Sequence, residues 1–202
     1  MRGPMLSNTH YPYVARKDIT HSVAELAQLK ESGAIEKLLD MVVRTAGRVV
    51  NVRVGARTVF LDLFEGFSRF QVKMSREAYE QSGVKRGDII YVEGKLVKTL
   101  KGDYAVAAEA VKVLAPALKE LPPWESLQSA TKMRLPQIVF ENRVVALYTR
   151  QVRWGVWIRA KVIEETRKFL WSKGFVELQT PVLQPIYGGA AARPFTTKIW
   201  AI

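Results

Sequence analysis

Apolar and polar residues alternate at two different periods along this chain, and the change of period marks its organisation. Near the start, Val23, Leu26 and Leu29 recur at helical spacing, and Ser22 with Glu25 has the capping-box arrangement that opens a helix. Gly33 interrupts that helix, and a second piece carries Ile35, Leu38 and Leu39. From about Met41 the period drops to two. Val50, Val52 and Val54 alternate with Asn51 and Arg53; Val59, Leu61 and Leu63 alternate with Thr58, Phe60 and Asp62. After Glu65-Gly66, Phe70, Val72 and Met74 alternate with Arg69, Gln71 and Lys73. Each segment reads as a strand with one buried and one wet face.

Ser75 then opens a short helix through Ala78 and Tyr79, which Gly83 ends. Asp88–Thr99 reads as a fourth strand with Gly94 inside it, and Lys101-Gly102-Asp103 turns the chain into a fifth strand, Tyr104–Leu114. Three strands, a helix and two more strands over residues 41–115 is the order of an OB-fold, a small Greek-key barrel, and the intervening helix favours it over an SH3-like barrel. An interior glycine suits a strand that must bend around such a barrel. Residues 1–40 read as an arm, with Pro4 and Pro12, followed by the opening helix. Residues 116–138 read as a linker marked by Pro116, Pro122, Pro123 and Pro136.

Residues 139–202 then open a second domain. Val156, Ala160, Ile163 and Leu170 trace an apolar stripe on a helix, and Gly174 stands where a helix C-terminal glycine belongs. Phe175–Pro181 reads as a strand closed by proline. The expected fold class is α+β.

Composition narrows what such a chain does. With 48% hydrophobic and 25% charged residues it can build a core and is not a disordered polycation. The 31 Lys and Arg against 19 Asp and Glu give +12, and the excess is uneven. Residues 1–120 hold 19 basic and 14 acidic side chains, whereas residues 121–202 hold 12 and 5. A surplus of this kind points to a polyanionic partner, nucleic acid before membrane. The absence of cysteine excludes disulfides and thiolate sites, and the two histidines, His10 and His21, leave no material for a Ser-His-Asp triad or a histidine metal cluster. No P-loop, apolar run of membrane-spanning length or secretory signal is present, so a cytoplasmic protein is expected.

Phe60 is the most informative barrel residue, because it stands on the polar parity of its strand. With Arg53 and Gln71 on the corresponding faces of neighbouring strands, it suits single-stranded RNA: the ring stacks a base and the polar side chains read its edge. Packing beneath the N-terminal helix is the alternative for that ring. Phe64 shares the parity but lies at the strand end, where the turn is expected to cover it. Glu164-Glu165 beside Arg167 and Lys168 reads as an ordinary salt-bridged helix surface. Gly188-Gly189-Ala-Ala-Ala-Arg193-Pro194-Phe195 offers backbone that a small ligand could approach closely.

Taken with Thr180-Pro181 ahead of it, this last stretch resembles the segment at and after motif 1 of the class II lysyl-tRNA synthetases. Phe169-Leu-Trp-Ser-Lys-Gly174 followed by Phe175-Val-Glu-Leu-Gln-Thr-Pro181 resembles the motif 1 helix and strand of that family. Gly47-Arg-Val, Arg53, Phe60-Leu-Asp62-Leu and Gln71 resemble the anticodon-binding OB domain shared by the lysyl, aspartyl and asparaginyl enzymes. Tyr11-Pro12 with Arg16-Lys-Asp18, and Gly94-Lys-Leu-Val-Lys-Thr99, extend the likeness over nearly the whole chain. The Gly-Gly-Ala-Ala-Ala-Arg-Pro-Phe run favours the lysyl enzymes over the aspartyl and asparaginyl ones.

The resemblance implies that Arg53, Phe60 and Gln71 contact the anticodon of a lysine tRNA. It also implies that Gly189 lies against the lysine substrate, and that Pro181 with the preceding helix forms a homodimer interface. Residues 139–202 become the first helix and strand of the family's antiparallel catalytic domain, whose complete form joins lysine to tRNA using ATP and Mg2+. Two departures stand out. Arg134-Leu-Pro-Gln-Ile-Val-Phe140 replaces the usual Arg-Tyr-Leu-Asp-Leu run, and the sequence ends at Ile202 before motifs 2 and 3 with their ATP-gripping arginines. The expectation is that these 202 residues bind tRNA without charging it, that a second chain could supply the missing motifs, and that Trp154, Trp157, Trp171 and Phe175 form an association-prone apolar patch. A freestanding RNA-binding OB module, or an aspartyl or asparaginyl fragment, is the rival reading.

Overall fold

A computed structural model describes residues 18–119, 121–123, 143–183 and 195–197. The proline-containing arm, most of the linker and the glycine–alanine loop with Gly189 lie outside the described residues. The chain divides into two compact units, Met1–Trp154 and Gly155–Ile202.

The first unit is built on a closed barrel. Its strands are β1 (Val42–Val54), β2 (Thr58–Glu65), β3 (Ser68–Ser75), β4 (Ile89–Lys98) and β5 (Tyr104–Ala115). They close in the order β1-β2-β3-β5-β4, with β4 returning to β1. Every pairing is antiparallel except β3 with β5. This is the OB arrangement expected from the element order. Val59, Leu61, Leu63, Phe70, Val72 and Met74 all face the core, as their alternation requires.

The alternation in β1 is broken once. The register with β2 shifts between Val49 and Asn51, so Val49 and Val50 are both buried and the inward parity changes from odd to even positions. Simple alternation starting at Val50 misses the earlier inward residues Val43, Thr45 and Val49. Val54 keeps the inward parity, opposite Val59, but is 55% exposed, because it sits at the strand's end. The Thr45 hydroxyl is buried with no hydrogen-bond partner among the described residues. Thr45→Val keeps the shape and removes the desolvated hydroxyl. It is expected to raise unfolding free energy by about 1 kcal/mol in a urea titration; a loss of stability would contradict it.

α1 (Val23–Glu31) packs against the barrel core. Its capping box is formed from both sides, the Glu25 amide donating to Ser22 Oγ and the Ser22 amide to Glu25 Oε2. Val23 and Leu26 are fully buried, and the Val23 amide donates to Glu65 Oε2 at 2.9 Å. The helix approaches closely because β1 offers Gly47 there: a Cβ at that position would lie 2.9 Å from Val23 Cγ2. Gly33, with φ 75°, ends the helix and leads into a 3-10 turn, Ala34–Leu38. α2 (Arg76–Ser82) is capped by Ser75 and stopped by Gly83 in the left-handed region.

α3 (Arg143–Ala146) and the first turn of α4 (Arg150–Ser172) also belong to this first unit. Arg153 fastens them to the barrel. Its guanidinium donates to the Gly66 carbonyl at 2.6 Å and twice to the Leu147 carbonyl, and it lies 4.2 Å from the centre of the Phe64 ring. Burial lowers the Arg153 pKa and raises that of the neighbouring Tyr148.

In the second unit, α4 ends in a Schellman arrangement: the Phe175 amide donates to Leu170 O, the Gly174 amide to Trp171 O, and Gly174 has φ 84°. Glu164 pairs with Lys161 and Lys168, whose hydrogen bonds hold its carboxyl down at about 2. Arg167, read from the sequence as part of that cluster, instead makes a two-pronged pair with Glu177. A strand at Phe175–Pro181 is not formed among the described residues: these residues join no ladder there. Ile163, Leu170, Trp171, Phe175 and Val176 line an apolar groove of about 380 Å³.

Candidate nucleic-acid interface

The outer surface of β1, β2 and β3 carries the residues singled out by sequence, and strand register brings them together. Arg53 stands directly opposite Phe60, and Phe60 opposite Lys73. One step along, Asn51 faces Asp62 and Asp62 faces Gln71; one further, Phe64 faces Arg69. Directly opposed residues hold their Cβ atoms about 5 Å apart. Arg53, Phe60 and Gln71 are therefore one contiguous patch.

Phe60 is partly exposed and outside the core cluster, whereas Val23 and Leu26 of α1 pack within it. The ring accordingly stands on the wet face, not under the helix. Gln71 is partly exposed beside it, and the Arg53 side chain is 52% exposed. Phe64 differs, being 8% exposed: the Arg153 guanidinium lies over it and the Tyr148 ring centre is 6.3 Å away.

The patch is positively biased, with Arg53, Arg69 and Lys73 around one acid, Asp62. Asp62 is 7% exposed; its Oδ1 accepts from Arg53 Nη2 at 3.1 Å and its Oδ2 from Asn51 Nδ2 at 3.3 Å. Past the end of β4, Asp103 forms an ion pair with Lys30 of α1. Burial would raise the Asp103 pKa, but the Lys30 hydrogen bond, the Tyr104 amide and the positive charges of Lys30 and Arg53 outweigh it and hold it low.

Sequence reasoning placed Asp62, Asn51, Lys73 and Arg69 on the wet parity but did not single them out as part of the site. The signal was present, since each shares parity with a residue that was singled out. For Arg153 there was no local signal, because its partner Gly66 is 87 residues away. Pro181 lies exposed in the segment after α4 and is part of no helix or strand. Among the described residues no three His, Asp or Glu side chains gather to hold a metal ion. No helix among them is long and apolar enough to cross a membrane.

A closed five-stranded barrel in this strand order is an OB-fold, a class of barrel that binds oligonucleotides and oligosaccharides, and here its outer face is basic and carries an aromatic ring. Residues 43–114 match the family model of the OB-fold nucleic acid binding domain, and residues 136–202 match that of the tRNA synthetases class II (D, K and N). Over most of its length the chain is similar to lysine–tRNA ligases. It is 34% identical over 197 residues to that of Saccharolobus solfataricus, covering 93% of this chain and 38% of that protein. It is 34% identical over 195 residues to that of Sulfolobus acidocaldarius, with 93% and 38% covered. With a Dehalococcoides mccartyi lysine–tRNA ligase the identity is 33% over 200 residues, 95% of this chain and 39% of the relative. The chain thus spans well under half the length of these relatives.

Proposed function

We propose that this chain docks the anticodon loop of a lysine tRNA on the outer face of β1–β3, as the recognition part of a protein that attaches lysine to tRNA with ATP. One observation carries the reading: Phe60, partly exposed on a wet strand face, has Arg53 and Lys73 opposite it on either side. A base stacked on that ring would have the Arg53 guanidinium and the Gln71 amide at its edge, while Lys73 and Arg69 attract the backbone. The match of residues 43–114 to a nucleic-acid-binding OB family, and the relation to lysine–tRNA ligases, support RNA over other polyanions.

The same reading assigns Gly189 to the lysine substrate and Pro181, with α4, to a homodimer interface. The exposed apolar groove of Ile163, Leu170, Trp171, Phe175 and Val176 supports a protein partner there. ATP and Mg2+ serve the complete lysine-joining reaction, which takes place in the cytoplasm. The roles derived for the chain's own residues are binding and orientation of the tRNA.

The reading is tested at Phe60. Phe60→Ala is expected to weaken binding of a lysine anticodon stem–loop by about 1–3 kcal/mol, the worth of one base–aromatic stack. Fluorescence anisotropy on the folded variant measures it, and an unchanged Kd would sink the assignment of this face.

A further inference from the structure

We propose that Asp62 is a positioning residue of the RNA-contacting face, a carboxylate that aims the Arg53 guanidinium at base edges and restrains its pull on phosphate. The inference rests on the reading of the β1–β3 face given above. Asp62 stands on the outward parity of β2, two residues after Phe60 and opposite Gln71, yet it is only 7% exposed. An acid at the centre of a face that meets a polyanion works against affinity, so its presence calls for a different benefit.

The geometry points to that benefit. At the β1 bulge the Val52 amide donates to Asn51 Oδ1 at 3.0 Å, which fixes the Asn51 side chain. Asn51 Nδ2 in turn donates to Asp62 Oδ2, and Asp62 Oδ1 accepts from Arg53 Nη2. Arg69 Nη1 lies 3.7 Å from Asp62 Oδ2 on the other side. One carboxylate thus orients a guanidinium from each flanking strand. An arginine has five N–H donors in a planar fork, so fixing one nitrogen sets the direction of the others. With Arg53 directly opposite Phe60, those donors are held beside a base stacked on the ring. A guanidinium left loose would follow the nearest phosphate and read no sequence.

The test uses the full chain with Asp62→Asn, and Asp62→Ser as a second variant of smaller size. Affinities are measured for the lysine anticodon stem–loop and for the same loop with each anticodon base changed, over a range of salt concentrations. In Asp62→Asn the preference for the lysine loop is expected to fall about fivefold, the worth of one oriented hydrogen bond. Affinity for the altered loops is expected to rise, and the slope of log Kd against log salt to steepen by about 0.7 as one positive charge is uncovered. A purely structural Asp62 would instead lower the melting temperature and weaken all loops in parallel, leaving the preference intact, and that outcome overturns the proposal. Unfolding of both variants would also overturn it. A wild-type chain that binds every loop alike would overturn the reading of the face itself, whereas a discriminating wild type with an equally discriminating Asp62→Asn overturns the Asp62 role alone.

Discussion

Gly94→Ala is expected to cost more than about 4 kcal/mol of folding free energy, enough to threaten a domain whose total stability is of order 5–15 kcal/mol. The reason lies in three backbone atoms. A Cβ at position 94 would sit 1.9 Å from the Ala107 carbonyl oxygen, 2.7 Å from its carbonyl carbon and 2.8 Å from Ala108 Cα. None of these is the end of a flexible side chain that could swing away, so β4 and β5 must part. They would part where the pairing is already irregular, since the β4–β5 register shifts between Glu93 and Gly94. The two strands also join β4 to β1 and β5 to β3, so opening that seam opens the barrel. Urea denaturation followed by circular dichroism measures the loss; an alanine variant within about 0.5 kcal/mol of the parent, the range of innocuous surface changes, would contradict the argument.

Gly94 also shows what was legible in the sequence and what was not. That a glycine inside a strand pattern marks a bend or a close approach could be read directly. Which backbone it meets could not, because Ala107 comes close only once β5 has returned antiparallel to β4. Elsewhere local signals agreed with the tertiary structure and carried far. Ser22 and Glu25 cap each other, Ser75 and Gly83 bound α2, and the core faces of β2 and β3 follow their alternation without a break. Reading failed where one residue altered the phase. In Val49-Val50 two adjacent apolar residues are both buried, and nothing in their chemistry says that a bulge lies between them.

The candidate site was half visible for the same reason. Strand parity gave Arg53, Phe60 and Gln71 one face, and the observed register places them side by side. Parity says nothing, however, about which side chains reach one another across that face. Asp62 bonding Arg53, and Arg153 reaching from α4 to cover Phe64, both depend on distances set by the folded barrel. The strand expected at Phe175–Pro181 belongs with these failures: a strand is a property of two segments, and its sequence describes only one.

Two adjacent residues of β2 are expected to separate fold from function. Leu61 is fully buried in the core, and Leu61→Ala should lower unfolding free energy by about 2–5 kcal/mol, the transfer term plus the cavity left behind. Its neighbour Phe60 points the opposite way and is partly exposed, so its truncation opens no enclosed cavity and should cost less than about 1 kcal/mol of stability. For binding the order reverses. The folded Leu61→Ala protein, held well below its melting temperature, keeps the Arg53–Phe60–Gln71 face and should bind the lysine anticodon stem–loop with the parent's Kd. Phe60→Ala should lose the stacking platform while melting almost like the parent. Paired urea titrations and anisotropy titrations on the two variants give four numbers, and only this crossed pattern fits a ring that serves RNA beside a leucine that serves the barrel. If both variants lost stability and affinity together, Phe60 would be a core residue, and the RNA face would have to be sought on another side of the barrel.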